Sequence, residues 1–169
     1  MIRKAKYHDA EFIQNLIRTF SETGQVLFRS LDEIRENIPD FLVYEKNDQI
    51  VGVCSLRRGW GRLVELRSLG VDPRYSGQGI GTKMVEASLK NALSTDCDTL
   101  FVLTYAVSMF ERLGFSIVDK ETLPYKIWND CKTCLHQASC DETAMILSLV
   151  SMRNKRSIRM LPPATVNAR

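Results

Sequence analysis

The chain has 169 residues, a formal net charge of +3 and five cysteines. This length allows one domain with a full hydrophobic core, and no segment approaches the ~20 consecutive apolar residues of a membrane helix. The first residues lack the apolar region of a secretory signal, and the number of cysteines is odd. We therefore expect a cytoplasmic protein with reduced thiols, which excludes a disulfide-stapled secreted domain.

The positive charge is concentrated at the C-terminal end. No acidic residue follows Ser151, and the basic residues there are Arg153, Lys155, Arg156, Arg159 and Arg169. Because these five exceed the net charge of the whole chain, residues 1–150 carry a negative balance, which argues against a basic nucleic-acid-binding surface. We predict one domain over residues 1–150 and a solvated, partly disordered basic tail over 151–169. Contact of this tail with an acidic partner is the alternative.

The N-terminal part of the chain predicts a short strand and two helices. Residues 2–5 suit the strand, and Asp9 is placed to cap the first helix. The apolar residues that share one face of this helix are Phe12, Ile13, Leu16, Ile17 and Phe20. Ser30 begins a capping-box pattern for the second helix, which must end before Pro39.

The remainder predicts a mixed α/β sheet. Three apolar runs with short polar connections, over 41–45, 50–56 and 63–71, indicate an antiparallel meander. After a glycine-rich loop, the pattern predicts a helix, a strand, a short helix and two further strands, over 81–93, 99–104, 108–113, 115–118 and 144–150.

The glycine-rich loop stands between a strand and a helix. Three alternating glycines, Gly77, Gly79 and Gly81, let the backbone turn sharply and leave amides accessible to a ligand. Together with the free N–H groups at the start of the helix, they predict a phosphate-binding site. The residues after Gly81 do not fit the P-loop pattern, and a dinucleotide-binding fingerprint would need glycine in place of Thr82.

The residues around this loop resemble the acetyl-CoA signature of the GNAT superfamily of N-acetyltransferases. The signature is a strand ending in Val71-Asp72-Pro73, followed by the glycine loop, with Ser76 where the family prefers Arg or Gln. Phe110-Glu111-Arg112-Leu113-Gly114-Phe115 resembles a second family element. The resemblance covers residues 2–150 and implies a mixed α/β (α+β) fold, whose sheet has a splayed strand pair flanked by helices. It also implies acetyl-CoA as co-substrate. The coenzyme-binding positions that it implies are Leu69, Gly70, Val71, Ser76, Gly77, Gln78, Gly79, Ile80, Gly81 and Thr82.

Acetyl transfer to an amine needs a group that removes the proton of the amine. By the period of two along a strand, Glu65, Arg67 and Leu69 share one face beside the thioester, and we predict Glu65 as the base, acting through water. A solvent-facing Glu65 is the alternative. Backbone N–H groups near Leu69 and Gly70 are placed to stabilise the oxyanion. Phe110 occupies the position of the tyrosine acid of many GNAT enzymes, and neither Tyr105 nor Tyr75 matches that position by motif.

A finer resemblance concerns the acceptor. The segments 29–31, 65–69 and 123–128 are similar to the short bacterial N-acetylglutamate synthases of arginine biosynthesis. This resemblance implies L-glutamate as acceptor, and Arg29, Arg67 and Lys126 can supply cations for its carboxylates. Another acceptor amine, such as a polyamine, an antibiotic or a protein N-terminus, is the alternative, as is a non-catalytic acyl-CoA sensor. We expect no nucleic-acid or membrane partner and leave room for a homodimer.

A cluster of cysteines lies near the C-terminal end of the domain. Cys131, Cys134, His136 and Cys140 have the ligand types and close spacing of a structural zinc site. Because the segment holds one Cys-x-x-Cys pair rather than two, we predict no metal here and a loop of reduced thiols instead. The zinc site remains the alternative, with a metal- or nucleic-acid-binding module as the corresponding function.

Overall fold

The structure is a computed structural model that describes residues 1–124, 132 and 140–160. In these residues, seven strands form one sheet, and five α-helices and four short 3-10 turns cover or connect it. The strands are β1 Ile2–Lys4, β2 Phe41–Lys46, β3 Gln49–Trp60, β4 Leu63–Val71, β5 Thr99–Thr104, β6 Ser116–Ile117 and β7 Thr143–Ser148. The helices are α1 Ala10–Ser21, α2 Leu31–Glu36, α3 Ile80–Leu93, α4 Val107–Arg112 and α5 Leu149–Met160.

The sheet has the order β1-β2-β3-β4-β5-β7-β6. Within the described strands, β4 and β5 are the one parallel pair, and the others are antiparallel, which confirms the predicted meander of β2, β3 and β4. The parallel pairing joins Leu63–Glu65 to Thr99–Phe101 and goes no further. Beyond Glu65 the two strands separate, which confirms the predicted α/β fold with a splayed strand pair.

Two hydrophobic layers hold the helices on opposite faces of the sheet. On one face, α3 packs through Met84, Val85 and Ala92 against the strands. On the other face, α1 packs through Ile13 and Ile17, together with Ile34 of α2. Both layers bury apolar side chains of the central strands against the helices.

One prediction about the first helix was wrong, and another was confirmed in position only, since Asp9 is the N-cap residue of α1. Phe12 does not share the buried face, because its side chain is 63% exposed. Asp9 precedes α1 but its carboxylate does not bond to a helical amide. It instead accepts hydrogen bonds from the Arg3 guanidinium at 2.7 Å and from the backbone N–H of Lys6 at 2.7 Å. An unpaired charge is costly to bury, and the Arg3 guanidinium provides the opposite charge beside the Asp9 carboxylate.

The C-terminal end also differs from the prediction. The last strand stops at Ser148, and α5 begins at Leu149 and runs across position 150 to Met160. The Arg153 guanidinium donates hydrogen bonds to the carbonyls of Leu93, Thr95 and Cys97, just after α3 ends. This part of the basic tail is therefore helical and attached to the domain, whereas the division of the chain at residue 150 stays a prediction.

Strand β6 is shorter than predicted, and it covers Ser116–Ile117 only. Among the helices described here, none has both the length and the apolar composition that crossing a bilayer would require.

Candidate functional site

A cavity of about 380 Å³ occupies the fork where β4 and β5 separate. Its walls come from the end of α1, the loop before α2, both strands of the fork, α4 and the residues directly before β7. A cavity of this volume suits a small molecule or the reacting end of a larger one. The open edges of β4 and β5 give it main-chain donors and acceptors that the sheet does not use.

A β-bulge in β4 lies at the centre of this cavity. Val53 of β3 pairs with Gly70 and Ser55 pairs with Arg67, so Ser68 and Leu69 together stand opposite one residue. Ser68 has φ +54°, in the left-handed region that one class of β-bulge uses. The extra residue reverses the alternation of faces beyond Arg67.

The bulge corrects the prediction that Glu65, Arg67 and Leu69 share one face. Leu69 packs with the hydrophobic layer of α3, whereas Arg67 lies within 3.8 Å of Glu33 of α2. Glu65 and Arg67, two residues apart before the bulge, both line the cavity. The chain thus turns its charged side chains and its apolar Leu69 to opposite sides within three residues.

Two small residues of the bulge meet the cavity. The buried Ser68 hydroxyl, which lines it, has no hydrogen-bond partner among the described residues. Gly70 leaves room for the ring of Phe20, since a Cβ at this position would lie 2.8 Å from that ring. A larger residue at 70 would therefore force the Phe20 ring to move.

The glycine loop leads from the end of β4 to the start of α3. Gly79 is the N-cap of α3 with φ +71°, and Gly77 has φ +75°. The first helical bond runs from the Lys83 N–H to the Gly79 carbonyl, so the preceding amides have no partner in the helix. The first turn of α3 contains no acidic residue. These features make the loop suitable for an anion such as a phosphate.

Polar contacts hold the ends of this loop. Asp72 accepts hydrogen bonds from the backbone and the guanidinium of Arg74, which lowers the pKa of its carboxyl. Lys46 at the end of β2 donates to the Gln78 side chain at 2.8 Å. Gly81 lines the cavity next to Val71 and Met109. The loop is therefore fixed against the sheet, and the start of α3 is continuous with the fork.

The structure brings together two of the three predicted substrate-binding residues. The Arg29 and Arg67 side chains are only 10% and 11% exposed, and both line the cavity. They lie on different elements, yet both contact the same oxygen of Glu33, at 2.9 Å from Arg29 Nη1 and 3.8 Å from Arg67 Nη2. Lys126, the third, lies outside the described residues.

Glu65 stands at the point where the fork opens. It is the last residue of β4 that pairs with β5, opposite Phe101. Its side chain is partly exposed and lines the cavity, as does Glu142 on the opposite wall. A carboxylate at the edge of a small cavity is placed to take a proton from a bound molecule, directly or through water.

Among the tyrosines that the structure describes, one lines the cavity. Tyr105 lines it and donates a hydrogen bond to Asp141 Oδ1 at 2.8 Å. This hydrogen bond, aided by partial burial, raises the pKa of the Tyr105 phenol, which stays protonated at neutral pH. Tyr75 lies instead in the glycine loop beneath Lys46. Phe110 is buried and packs edge-on against Phe115 at 5.1 Å.

Of the cysteine cluster, the structure describes Cys140 alone. Cys140 lines the cavity, and Lys120 Nζ lies 3.5 Å from its sulfur. Cys131, Cys134 and His136 lie outside the described residues, and within the described part no group of metal-ligating side chains is present. The absence of a zinc site therefore stays a prediction.

Sequence reasoning missed Glu33, Ser68, Tyr105 and Glu142 as cavity or near-cavity residues. Glu33 carried a signal, because it follows Arg29 by four positions and lies in the capping box begun by Ser30. The bulge at Ser68 had no such signal in the sequence, because it depends on the register in which β4 pairs with β3.

Comparisons with known proteins agree with this architecture. Residues 8–115 match the model of the acetyltransferase (GNAT) family. An uncharacterized N-acetyltransferase of Chlorobaculum tepidum is 34% identical over 148 residues, which are 88% of this chain and 96% of that protein. An amino-acid acetyltransferase of Mycobacterium tuberculosis is 29% identical over 134 residues, or 77% and 76% of the two chains.

A solved structure shares the fold. The N-acetylglutamate synthase of Neisseria gonorrhoeae, complexed with coenzyme A and N-acetyl-glutamate, superposes with a TM-score of 0.79 at 23% identity. The match covers 88% of this chain but 35% of that one.

Proposed function

The chain belongs to the acetyltransferase (GNAT) family, and on that basis we propose that its acceptor is the amine of an amino acid, with L-glutamate preferred. Membership makes the protein an N-acetyltransferase with acetyl-CoA as co-substrate. The proposal concerns the acceptor, its role in the first step of arginine biosynthesis and a cytoplasmic location.

The observation that supports the proposal is the pair of buried guanidiniums in the cavity. Arg29 and Arg67 line the same cavity as Glu65, which precedes Arg67 by two residues on β4. Guanidinium groups bind carboxylates through two parallel hydrogen bonds. An acceptor that carries a carboxylate a few bonds from its amine would thus be held with the amine near Glu65, whereas a polyamine has no carboxylate for the two guanidiniums to bind.

The coenzyme has a complementary place in the same cavity. Beyond Glu65 the β5-facing edge of β4 has no strand partner in the described structure, so the backbone of Leu69, Gly70 and Val71 is available to the pantetheine arm. The amides of residues 76–82 would hold the pyrophosphate at the start of α3. This arrangement leaves the thioester next to the bulge, between the two halves of the site.

The reaction then needs one proton acceptor and one oxyanion site. Glu65 takes a proton from the ammonium group, through water, and the free amine attacks the thioester carbonyl. Main-chain N–H groups near Leu69 and Gly70 stabilise the oxyanion. The bonded nitrogen loses its second proton to water as the C–S bond breaks and the C–N bond remains. Coenzyme A leaves as a thiolate that is protonated by Tyr105 or by water.

The relatives support the choice of an amino acid, since one is named an amino-acid acetyltransferase and shares three quarters of its length with this chain. The described cysteines Cys54, Cys97 and Cys140 are free thiols, as a reducing compartment would produce. A homodimer is compatible with the proposal and is not required by it.

The test is the release of free coenzyme A thiol from acetyl-CoA in the presence of L-glutamate, L-glutamine, L-aspartate, spermidine and a peptide. We expect turnover that is selective for L-glutamate. Equal or faster turnover of spermidine or the peptide would disprove the amino-acid assignment. Binding of acetyl-CoA without thiol release from any amine would leave a coenzyme sensor as the function.

A further inference from the structure

Glu33 contacts both of the arginines that line the cavity. Its Oε1 lies 2.9 Å from Arg29 Nη1 and 3.8 Å from Arg67 Nη2, although the arginines come from the loop before α2 and from β4. Among the described residues that line the cavity, both arginines are present and Glu33 is not. Glu33 thus contacts both cavity arginines without lining the cavity itself.

Two nearly buried cations that lie against the same oxygen repel each other unless an anion compensates their charge. Glu33 supplies that charge: it accepts a hydrogen bond from Arg29 Nη1 at 2.9 Å and lies within ion-pair distance of Arg67 Nη2, at 3.8 Å. Because a guanidinium group is planar, the directions of its other N–H groups then follow from the position of the group. A carboxylate that entered the cavity would meet a preorganised pair instead of two separately mobile side chains.

The backbone of Glu33 is itself held in place. Its N–H donates to the Ser30 hydroxyl at 3.2 Å, and its carbonyl accepts a hydrogen bond from the Asn37 side chain at 2.7 Å. Ile34, the next residue, is fully buried and anchors α2 to the sheet. Gln14 of α1 donates to the Arg29 carbonyl at 3.3 Å. The carboxylate is thus carried by a fixed turn and not by a free surface helix.

We propose that Glu33 is a positioning residue that holds Arg29 and Arg67 together as one carboxylate-binding unit for the acceptor. The inference rests on the proposed acceptor site. It implies that Glu33 determines the affinity for the acceptor but takes no part in coenzyme binding or in the chemical step.

The experiment compares Glu33→Ala and Glu33→Gln with Asp32→Asn as a matched control. Asp32 lies in the same helical turn, is 90% exposed and contacts Arg35 instead of the cavity arginines. Its substitution by Asn removes the same charge as the Glu33 substitutions. With L-glutamate and acetyl-CoA, we expect Glu33→Ala to raise the acceptor KM roughly 10-fold or more, the range for a hydrogen bond between charged groups. Glu33→Gln, which keeps the oxygen but not the charge, should lie between. The acetyl-CoA Kd and kcat should change less than about twofold, and Asp32→Asn should match the parent.

Two further results separate this inference from the proposed function. If Arg29→Ala and Arg67→Ala leave the acceptor KM unchanged, the acceptor site is wrong and the inference falls with it. If they raise the KM but Glu33→Ala and Glu33→Gln do not, only the role of Glu33 is overturned. A lower KM in both Glu33 variants would overturn it too, because Glu33 would then compete with the acceptor. Thermal unfolding of each variant shows whether a kinetic change comes from loss of the fold.

Discussion

The two ends of the cleft are built in different ways. The proposed coenzyme end consists mainly of backbone: the open edge of β4, the loop before α3 and the free amides of the first helical turn. The proposed acceptor end consists of side chains, namely Arg29, Glu65 and Arg67, from a loop and a strand 36 or more positions apart. A backbone site leaves a local glycine pattern in the sequence, whereas a side-chain site exists only once the chain has folded.

This contrast has a consequence for substitutions. At the coenzyme end, a change matters when it alters backbone conformation, and most side chains are replaceable. At the acceptor end, we expect single charged side chains to determine the specificity. Removing one partner of a nearly buried ion pair leaves the other charge uncompensated, which is costly in free energy. Variants at each end should therefore affect one substrate and not the other.

The largest effect should come from the proposed base. Glu65→Gln keeps the shape but cannot accept the proton, so we expect kcat to fall about 10²- to 10⁴-fold, the usual contribution of a general base. The acetyl-CoA Kd should stay the same, as measured by calorimetry. Glu142→Gln is the matched control on the opposite wall of the cavity. A larger loss in Glu142→Gln than in Glu65→Gln would transfer the role of base to Glu142.

The next effect should be confined to the acceptor. Arg67→Ala should raise the acceptor KM about 10- to 100-fold, since it removes a charge-assisted pair of hydrogen bonds. Arg58→Ala, on the exposed part of the neighbouring strand, is the control. Steady-state kinetics with each substrate varied in turn measure both constants. An acetyl-CoA KM that rises as much as the acceptor KM would contradict the separation of the two ends.

A conformational change should affect only the coenzyme. Gly79→Ala places a Cβ on a left-handed residue, at a strain of about 1–2 kcal/mol, and we expect the acetyl-CoA Kd to rise roughly tenfold. Gly61→Ala is the control, because Gly61 has φ +66° and, like Gly79, open space around the missing Cβ. Both variants should be destabilised equally in thermal unfolding. Equal coenzyme affinity in the two would show that the glycine loop does not bind the coenzyme through its backbone.

The smallest effect should come from the tyrosine. Tyr105→Phe removes one hydrogen-bond donor, worth about 1 kcal/mol, and thiolate departs readily without an acid, so kcat should fall only about fivefold. Because the hydrogen bond to Asp141 raises the pKa of the phenol, Tyr105 stays protonated to a higher pH than an ordinary tyrosine. The parent should consequently show no alkaline loss of kcat from Tyr105 near pH 10. A loss at that pH that disappears in Tyr105→Phe would contradict this.

Much of the fold was predictable because its signals are local. The meander from Phe41 to Val71 follows from alternating apolar residues and short turns, and the start of α3 follows from the glycines before Ile80. The errors have tertiary causes. The Asp9 carboxylate makes no capping hydrogen bond because it pairs with Arg3. Phe12 is exposed because the buried face of α1 is formed by Ala10, Ile13 and Ile17, with Leu16 beside it.

The sequence by itself determined the family, through its resemblance to the GNAT signature at Val71-Asp72-Pro73, the glycine loop and residues 110–115. It also determined the meander of β2, β3 and β4 and the loop that we propose for the coenzyme, because these depend on periodicity and on glycines a few residues apart. Only the tertiary structure decided which side chains meet in the cavity. The bulge at Ser68 turned Leu69 away from Arg67, and Glu33 came to lie against arginines of a loop and of a distant strand. These contacts depend on strand register and on helix packing, which involve residues far apart along the chain.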